Sequence, residues 1–192
     1  MKVEYPINNL FIVVLGGKVK GSHIEQHDVR WVVGNTIEDT FDQLREGWFG
    51  EKKGLHIDSY IKVKNIDGYK VIIKSEDLSL NFKETKKDKS LWLINSGYYS
   101  QYSMYEKHKL FLVVAKNIFQ ARQIVRTRWG KLNEKIHFDN LHSISKVESL
   151  SPSESLNNKS GHQWRIILKE DNSLLNQELI PDWYGYLRID SK

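Results

Sequence analysis

The chain has 192 residues, 40% apolar and 28% charged, with a mean hydropathy of -0.53, 12 Gly and 3 Pro; collagen-like, low-complexity and wholly disordered chains are excluded. It contains no Cys, which removes a disulfide scaffold, a thiolate metal site and a cysteine nucleophile together. With 29 Lys and Arg against 24 Asp and Glu, the net charge is +5 and the pI near 9.2, a balance that favours anionic partners without requiring one.

In chain order, residues 10–15 form the longest apolar run, far short of the roughly 18 that suggest a membrane span. Lys2 is balanced by Glu4, and Lys18 and Lys20 follow where a small-residue cleavage site would lie, so no signal peptide is expected and the cytoplasm is the expected location. Residues 10–15 and 29–33, rich in Val and Ile, read as buried strands. The period then changes: Ile37, Phe41, Leu44 and Trp48 form the apolar stripe of a helix, opened by a capping-box-like Thr36 and Asp39 and ended by Gly50 and Gly54. Leu55, Ile57, Ile61 and Val63 alternate with His56, Asp58, Tyr60 and Lys62, as in a half-buried strand. A turn at 65–68 leads into a last strand at 69–74, completing a β-β-α-β-β unit. The passage 29–63 is a strand-helix-strand crossover, predicting two parallel strands in a mixed sheet with the helix on one face.

The chain then repeats itself. At an offset of 81, without gaps over residues 10–67, 12 of 58 positions are identical. They include Gly16 with Gly97, Glu25 with Glu106, His27 with His108, Trp48 with Trp129, His56 with His137 and Asp58 with Asp139. One Trp pair and two His pairs do not coincide through apolar patterning alone. The second helix opens at Asn117, a good N-cap, and carries Ile118, Ala121, Val125 and Trp129 on its stripe. A Ser- and Asn-rich insertion at 149–161 reads as a surface loop, after which the match resumes at offset 95 with Tyr69 opposite Trp164. The expected architecture is α+β: two tandem β-β-α-β-β units, 1–85 and 86–192, forming a pseudo-two-fold dimer within one chain. Residues 186–190 resemble the strand at 91–95 and are expected to add one edge strand.

Leu15-Gly16-Gly17, Gly21, Ile24-Glu25-Gln26-His27-Asp28-Val29, Leu55-His56-Ile57-Asp58 and Asp67-Gly68-Tyr69 together resemble the signature of a bacterial family catalogued as domain of unknown function 1543. The resemblance is good over 10–75 and implies one or two copies per chain, without an activity. In the second copy Gly17, Gly21 and Asp28 are replaced by Tyr98, Tyr102 and Lys109, so a function needing the whole motif is expected in the first unit.

The strongest constellation is Glu25, His27, Asp28, His56 and Asp58. Imidazole and carboxylate suit zinc, manganese or iron, and residues two apart on a strand point to one side, so Glu25, His27, His56 and Asp58 could hold a divalent metal with Asp28 acting on a water. The simpler reading is a structural hydrogen-bond network, supported by the persistence of His137 and Asp139 in a unit whose glycine loop is rebuilt with tyrosines. Alternation raises a geometric difficulty. His27 shares parity with Val29, Trp31 and Val33, whereas His56 and Asp58 lie opposite Ile57, Ile61 and Val63, so without a bulge the two pairs face different sides of the sheet.

Lys18 and Lys20 sit in the glycine-containing loop 16–23, which lacks the Gly-Lys-Ser/Thr of a phosphate loop and reads as a plain connection. The matching loop holds Tyr98, Tyr99, Tyr102 and Tyr105, four of the nine tyrosines, beside Lys107 and Lys109; they could stack bases, or pack the interface between units. The helical segments differ in charge: 36–49 is net minus three and 117–130, with Arg122, Arg126 and Arg128, net plus three. These residues are expected either to bind phosphate or to pair with an acidic face, including that of a homodimer. No Gly-x-Ser-x-Gly elbow and no kinase or dinucleotide glycine pattern is present. The favoured expectation is therefore a non-catalytic binding module for an anionic ligand, nucleic acid among the candidates, using Lys18, Lys20, Tyr98, Tyr99, Tyr102, Arg122 and Arg126. The alternative is a metal-dependent hydrolase built on the His and carboxylate cluster.

Overall fold

The computed structural model describes residues 8–76, 88–129, 136–144, 146–149, 162–171, 173 and 177–190. The insertion expected at 149–161 lies outside the described residues apart from Ser149. The fold is α+β, mostly antiparallel sheet with few helices. Among the described residues no helix is long and apolar enough to cross a membrane.

Strands β1 (Asn9–Gly17) and β2 (Gln26–Gly34) form a hairpin, followed by a 3-10 turn, Glu38–Thr40, a short helix α1 (Phe41–Gly47) and β3 (His56–Val63). The order β2-β1-β3 puts β1 in the centre, antiparallel to both neighbours. β2 and β3 are thus parallel, as the crossover requires, but β1 lies between them, so the sheet is antiparallel throughout and the expectation of a mixed sheet is corrected. The capping prediction holds in half: the Asp39 carboxylate accepts hydrogen bonds from the backbone N–H groups of Asn35 and Thr36, while the Thr36 region winds first as a 3-10 turn. Trp48 falls one residue past the helix, in extended backbone, yet remains buried.

β1 alternates between two cores. Phe11, Val13 and Leu15 pack with Ile37, Leu44 and Trp48 under the helix, and Leu10 and Ile12 face the other way. Asp67 and Gly68, both at positive φ, make a two-residue turn between β4 (Asn65–Ile66) and β5 (Tyr69–Glu76), the conformation that Asp-Gly favours in a tight hairpin.

From β6 (Ser90–Tyr98) onward the same order recurs: β7 (Lys107–Ala115), α2 (Ile118–Trp129), β8 (Ile136–Ile144), β9 (Lys146–Ser149) and β10 (His162–Glu170). The Asn117 side chain caps α2 by accepting from the Gln120 N–H at 3.0 Å. Every pairing of β6 with β7 and β8 except Tyr98 with Ile136 reproduces the corresponding pairing of β1 at 81 residues' distance, including the position of a register shift. A further sheet has the order β4-β5-β10-β9. The last strand, β11 (Trp183–Arg188), does not return to the second sheet; it pairs with β3, becoming the edge of the first. The expected extra edge strand is therefore present, and residues 177–190 run along the first half of the chain, held by bonds such as Asp182 N–H to Tyr60 and Ile189 N–H to Leu55.

The core that Leu10 and Ile12 face lies between the halves. Leu10, Ile12, Ile61 and Val63 meet Leu91, Leu93, Leu112, Val114 and Ile144 there, with Val71 and Ile166. At its edge Trp31 packs against His142 at 5.4 Å, and Asp67 accepts from the Val114 N–H at 2.8 Å while pairing with Arg128.

Candidate metal centre

The site sits at one end of β1, on the face of the sheet away from α1. Gly16 pairs with His27 on one side and His56 on the other. His56 leans over the glycine, His27 lies on its other side, and the carboxylates of Glu25 and Asp58 close the ring. His27 Nε2 lies 3.4 Å from Glu25 Oε1 and 3.2 Å from Asp58 Oδ2. His56 Nε2 lies 3.5 Å from the same Glu25 oxygen and 3.2 Å from Asp58 Oδ1. A side chain on Gly16 would occupy the space between them: its Cβ would stand 2.5 Å from His56 Nε2 and 3.2 Å from Glu25 Oε1.

The parity difficulty is resolved by a bulge, placed in β3 and not near Asp28. Val14 pairs with Ser59 but Leu15 pairs with Ile57, leaving Asp58 as the extra residue. Ile61 and Val63 face the core between the halves and Ile57 faces the helix, so His56 is returned to the side of His27.

His56 is 1% exposed. Its Nδ1 is 2.8 Å from the Gly54 carbonyl, and since a carbonyl only accepts, Nδ1 carries the hydrogen. Nε2 is then the ring atom turned toward the two carboxylates. Gly54 is itself fixed: it has φ +83°, and its N–H donates to Asp190 at 2.8 Å. The Tyr186 ring stacks on His56 with centroids 3.9 Å apart. Hydrogen bonds from Arg188 and from the Gly54 N–H hold the Asp190 carboxyl down at about 2. Gly54, Tyr186 and Asp190 were not expected from the sequence; the only signal was the strand pattern at 186–190, which carries no information on its partner.

His27 is 53% exposed and Glu25 nearly as open, so the centre is closed beneath by His56 and open to solvent above. Asp28 does not join it. It lies on the other face of β2 by alternation, paired with Arg30 at 2.7 Å and accepting from the Val29 N–H.

The other expected binding residues fall elsewhere. Lys18 and Lys20 are exposed in the β1–β2 connection, which is fastened by the Glu51 N–H donating to the Lys18 carbonyl and by a turn at 19–22. Arg122 and Arg126 lie over the ring of Phe138, and Arg128 bridges the halves to Asp67. Tyr98 packs edge-on against Trp129, in the space that Gly17 leaves for Trp48. Tyr102 and Tyr105 are exposed, and Tyr99 stacks on His137. Clefts of about 570, 700 and 740 Å3 lie elsewhere, and none of the three is lined by any of these seven expected binding residues.

The second half repeats the ring over Gly97. His108 Nε2 is 3.3 Å from Glu106 Oε2 and from Asp139 Oδ2, and His137 Nε2 is 2.5 Å from Glu106 Oε1 and 3.0 Å from Asp139 Oδ1. Asp139 is the bulged residue there, between Asn95–Asn140 and Ser96–Phe138 pairs.

Comparison with known proteins agrees with this fold. A crystal structure of a protein Il1583 from Idiomarina loihiensis is 30% identical, with a TM-score of 0.63 over 95% of this chain and 97% of that one. A comparison with curated proteins gives no match. Residues 22–73 and 103–151, which carry the two histidine and carboxylate rings, each match the profile of Domain of Unknown Function (DUF1543), and as these segments make up more than half of the sequence, the chain belongs to that family, in two copies.

Proposed function

We propose that Glu25, His27, His56 and Asp58 form a binding centre for a divalent transition-metal ion. The observation that carries this is the orientation of His56: its Nδ1 is held by the Gly54 carbonyl, so Nε2 is the ring atom turned toward the Glu25 and Asp58 carboxylates, where one cation would be shared by all three. A hydrogen bond from ligand imidazole to a carbonyl is also the usual way in which such a histidine is oriented.

The spacings support the same reading. The four N···O separations of 3.2–3.5 Å exceed the 2.7–2.9 Å of charge-assisted hydrogen bonds. They match the roughly 3.3 Å edge of a tetrahedron built with metal–ligand lengths of about 2.0–2.1 Å. Two imidazoles and two carboxylates suit zinc, iron or manganese, and Gly16 leaves open the space where an ion would stand. When bound, such an ion would supply Lewis acidity and a water of lowered pKa, the chemistry of ester or phosphodiester hydrolysis. The chain's own part is to hold the donors, to close the inner side with His56 and Tyr186, and to leave the outer side open at Glu25 and His27. Asp28, held by Arg30, receives no proton-transfer role.

The centre belongs to a chain we read as two β-β-α-β-β units, 1–85 and 86–192, forming a pseudo-two-fold dimer. Ile72 pairs with Ile167, its own counterpart at offset 95, and the strand order β4-β5-β10-β9 reads alike from either end, as an axis between β5 and β10 requires. The anionic-ligand reading has less support, because Lys18 and Lys20 lie in one half while Arg122 and Arg126 are engaged with Phe138 in the other.

The test is metal content and affinity of untagged protein, by elemental analysis and by calorimetric titration of the chelator-treated chain with Zn2+. Binding that falls at least about tenfold in His56→Ala supports the centre; less than about 0.1 equivalent in the native protein, with no uptake on titration, overturns it.

A further inference from the structure

The second ring, Glu106, His108, His137 and Asp139, belongs to the copy in which the glycine motif has been lost, and the sequence alone suggests that only its structural role survives. The geometry points to a second metal site. We infer that this ring binds its own divalent transition-metal ion, independently of the first, and that both sites open on one cleft. The inference extends the reading of the first unit but rests on its own residues.

Several observations carry it. The site is built by the same register: Gly97 pairs with His108 and with His137, and Asp139 is bulged where Asp58 is. The losses in this copy fall outside the ring. Tyr98 replaces Gly17 against Trp129, and Tyr102 replaces Gly21 in the exposed connection. Lys109 replaces Asp28, which does not belong to the first ring either. The space is kept. A Cβ on Gly97 would stand 2.6 Å from His137 Nε2, 2.7 Å from Glu106 Oε1 and 2.9 Å from Asp139 Oδ2, so three donor atoms converge on the volume the glycine leaves empty. Ligand atoms of Glu106, His108 and Asp139 lie within 4.8 Å of one another, close enough to share one ion.

The covers differ. His56 lies beneath Tyr186 of the returning strand, whereas Tyr99, from the adjacent connection, stacks on His137 at 5.7 Å and donates its hydroxyl to Glu106. That bond to the carboxylate pushes the Tyr99 phenol above its ordinary pKa. His137 is 41% exposed where His56 is buried, while Glu106, His108 and Asp139 are each less exposed than Glu25, His27 and Asp58. His27 and His108 both line the cleft of about 740 Å3 between the sheets, with Arg30, Trp31, Asn140 and His142. A ligand entering there meets one histidine from each ring.

Counting sites tests this. Chelator-treated full-length protein is titrated with Zn2+ and, separately, Co2+, reading stoichiometry by calorimetry and elemental analysis, in the native chain, His27→Ala, His108→Ala and the isosteric Asp139→Asn, each checked for folding by circular dichroism. About two equivalents per chain, falling to about one in each variant, supports the second site. Binding of about one equivalent that His27→Ala abolishes and His108→Ala and Asp139→Asn leave intact overturns the inference while preserving the first centre. The converse, one equivalent lost only in the His108 and Asp139 variants, supports the inference and overturns the first centre. No binding overturns both.

Discussion

Gly16 and Gly97 are glycines for a reason unrelated to backbone freedom: each stands in the middle strand under an imidazole and a carboxylate, where any side chain would fill the centre. Gly16→Ala is therefore expected to lower Zn2+ affinity by at least about tenfold and to cost about 1–3 kcal/mol of stability through overpacking, measured by calorimetry and urea unfolding. A protein that binds zinc normally with alanine there would contradict the placement of the ion. Asp190 acts one bond further out, through Gly54 and its carbonyl to His56 Nδ1. Its carboxyl lies at about 2 in the folded chain against an ordinary 3.8, so it stabilises the fold above about pH 4 and ceases to as the pH falls through 2. Acid unfolding of the native chain and Asp190→Asn should thus differ by a constant amount above pH 5 and converge near pH 2. Curves that keep the same separation throughout would show that the Arg188 and Gly54 bonds do not favour the charged form.

Elements set what these residues can reach. In β3 the bulge at Asp58 lets one strand serve two cores, Ile57 under the helix and Ile61 and Val63 between the halves, while turning His56 toward the metal side. Helix α1 is short, and its hold on the sheet depends on packing more than on length; Leu44 is fully buried beneath it with Phe11, Val13 and Trp48. Leu44→Ala should destabilise the protein by about 2–5 kcal/mol in urea unfolding, the range for a large aliphatic side chain removed from a closed core. A loss below about 0.5 kcal/mol would mean the helix docks without it. Strand β11 has a double role, adding an edge to the first sheet and laying Tyr186 on His56. Tyr186→Ala is expected to weaken zinc about tenfold at the first ring, read in a His108→Ala background, while leaving the second ring unaffected, read in a His27→Ala background.

The two halves share structure at the scale of the molecule. Their common core draws on both repeats, β5 and β10 pair directly, and residues 177–190 cross back to β3. With so much apolar surface buried only when the halves meet, unfolding should be one cooperative event. Trp48 and Trp129 lie in separate helix-side cores and serve as independent reporters. The fluorescence lost in Trp48→Phe and in Trp129→Phe, each taken as the difference from the native chain with its six Trp, should follow coincident transitions; a displaced second transition would show that the halves unfold separately. The bridge between Asp67 and Arg128 sits at the same boundary, with the Val114 N–H also donating to Asp67.

What the sequence by itself determined follows from local physics and from duplication. The strand at 55–63, the stripe from Ile37 to Trp48, the Asn117 cap and the Asp67-Gly68 turn are short-range features, and each appears close to its expected place because strand and helix periods are properties of the chain itself, although the single alternation expected over 55–63 is broken at Asp58. The offset of 81 identified both sets of His and carboxylate residues, since duplication preserves spacing. Tertiary structure alone decided the rest. The bulge at Asp58 depends on how β3 pairs with β1; a single-residue shift is invisible in the alternation, yet it turns the pairs His27 and His56 from opposite faces to one. The antiparallel character of the sheet depends on β1 entering between β2 and β3, and the return of β11 depends on which edge remains open. The orientation of the His56 ring depends on a carbonyl two residues away, that of Gly54, whose N–H is held across the fold by Asp190. Local sequence specifies elements because their energies are local; the ring of donors is decided by tertiary structure because it forms only where strands distant in sequence pair in register.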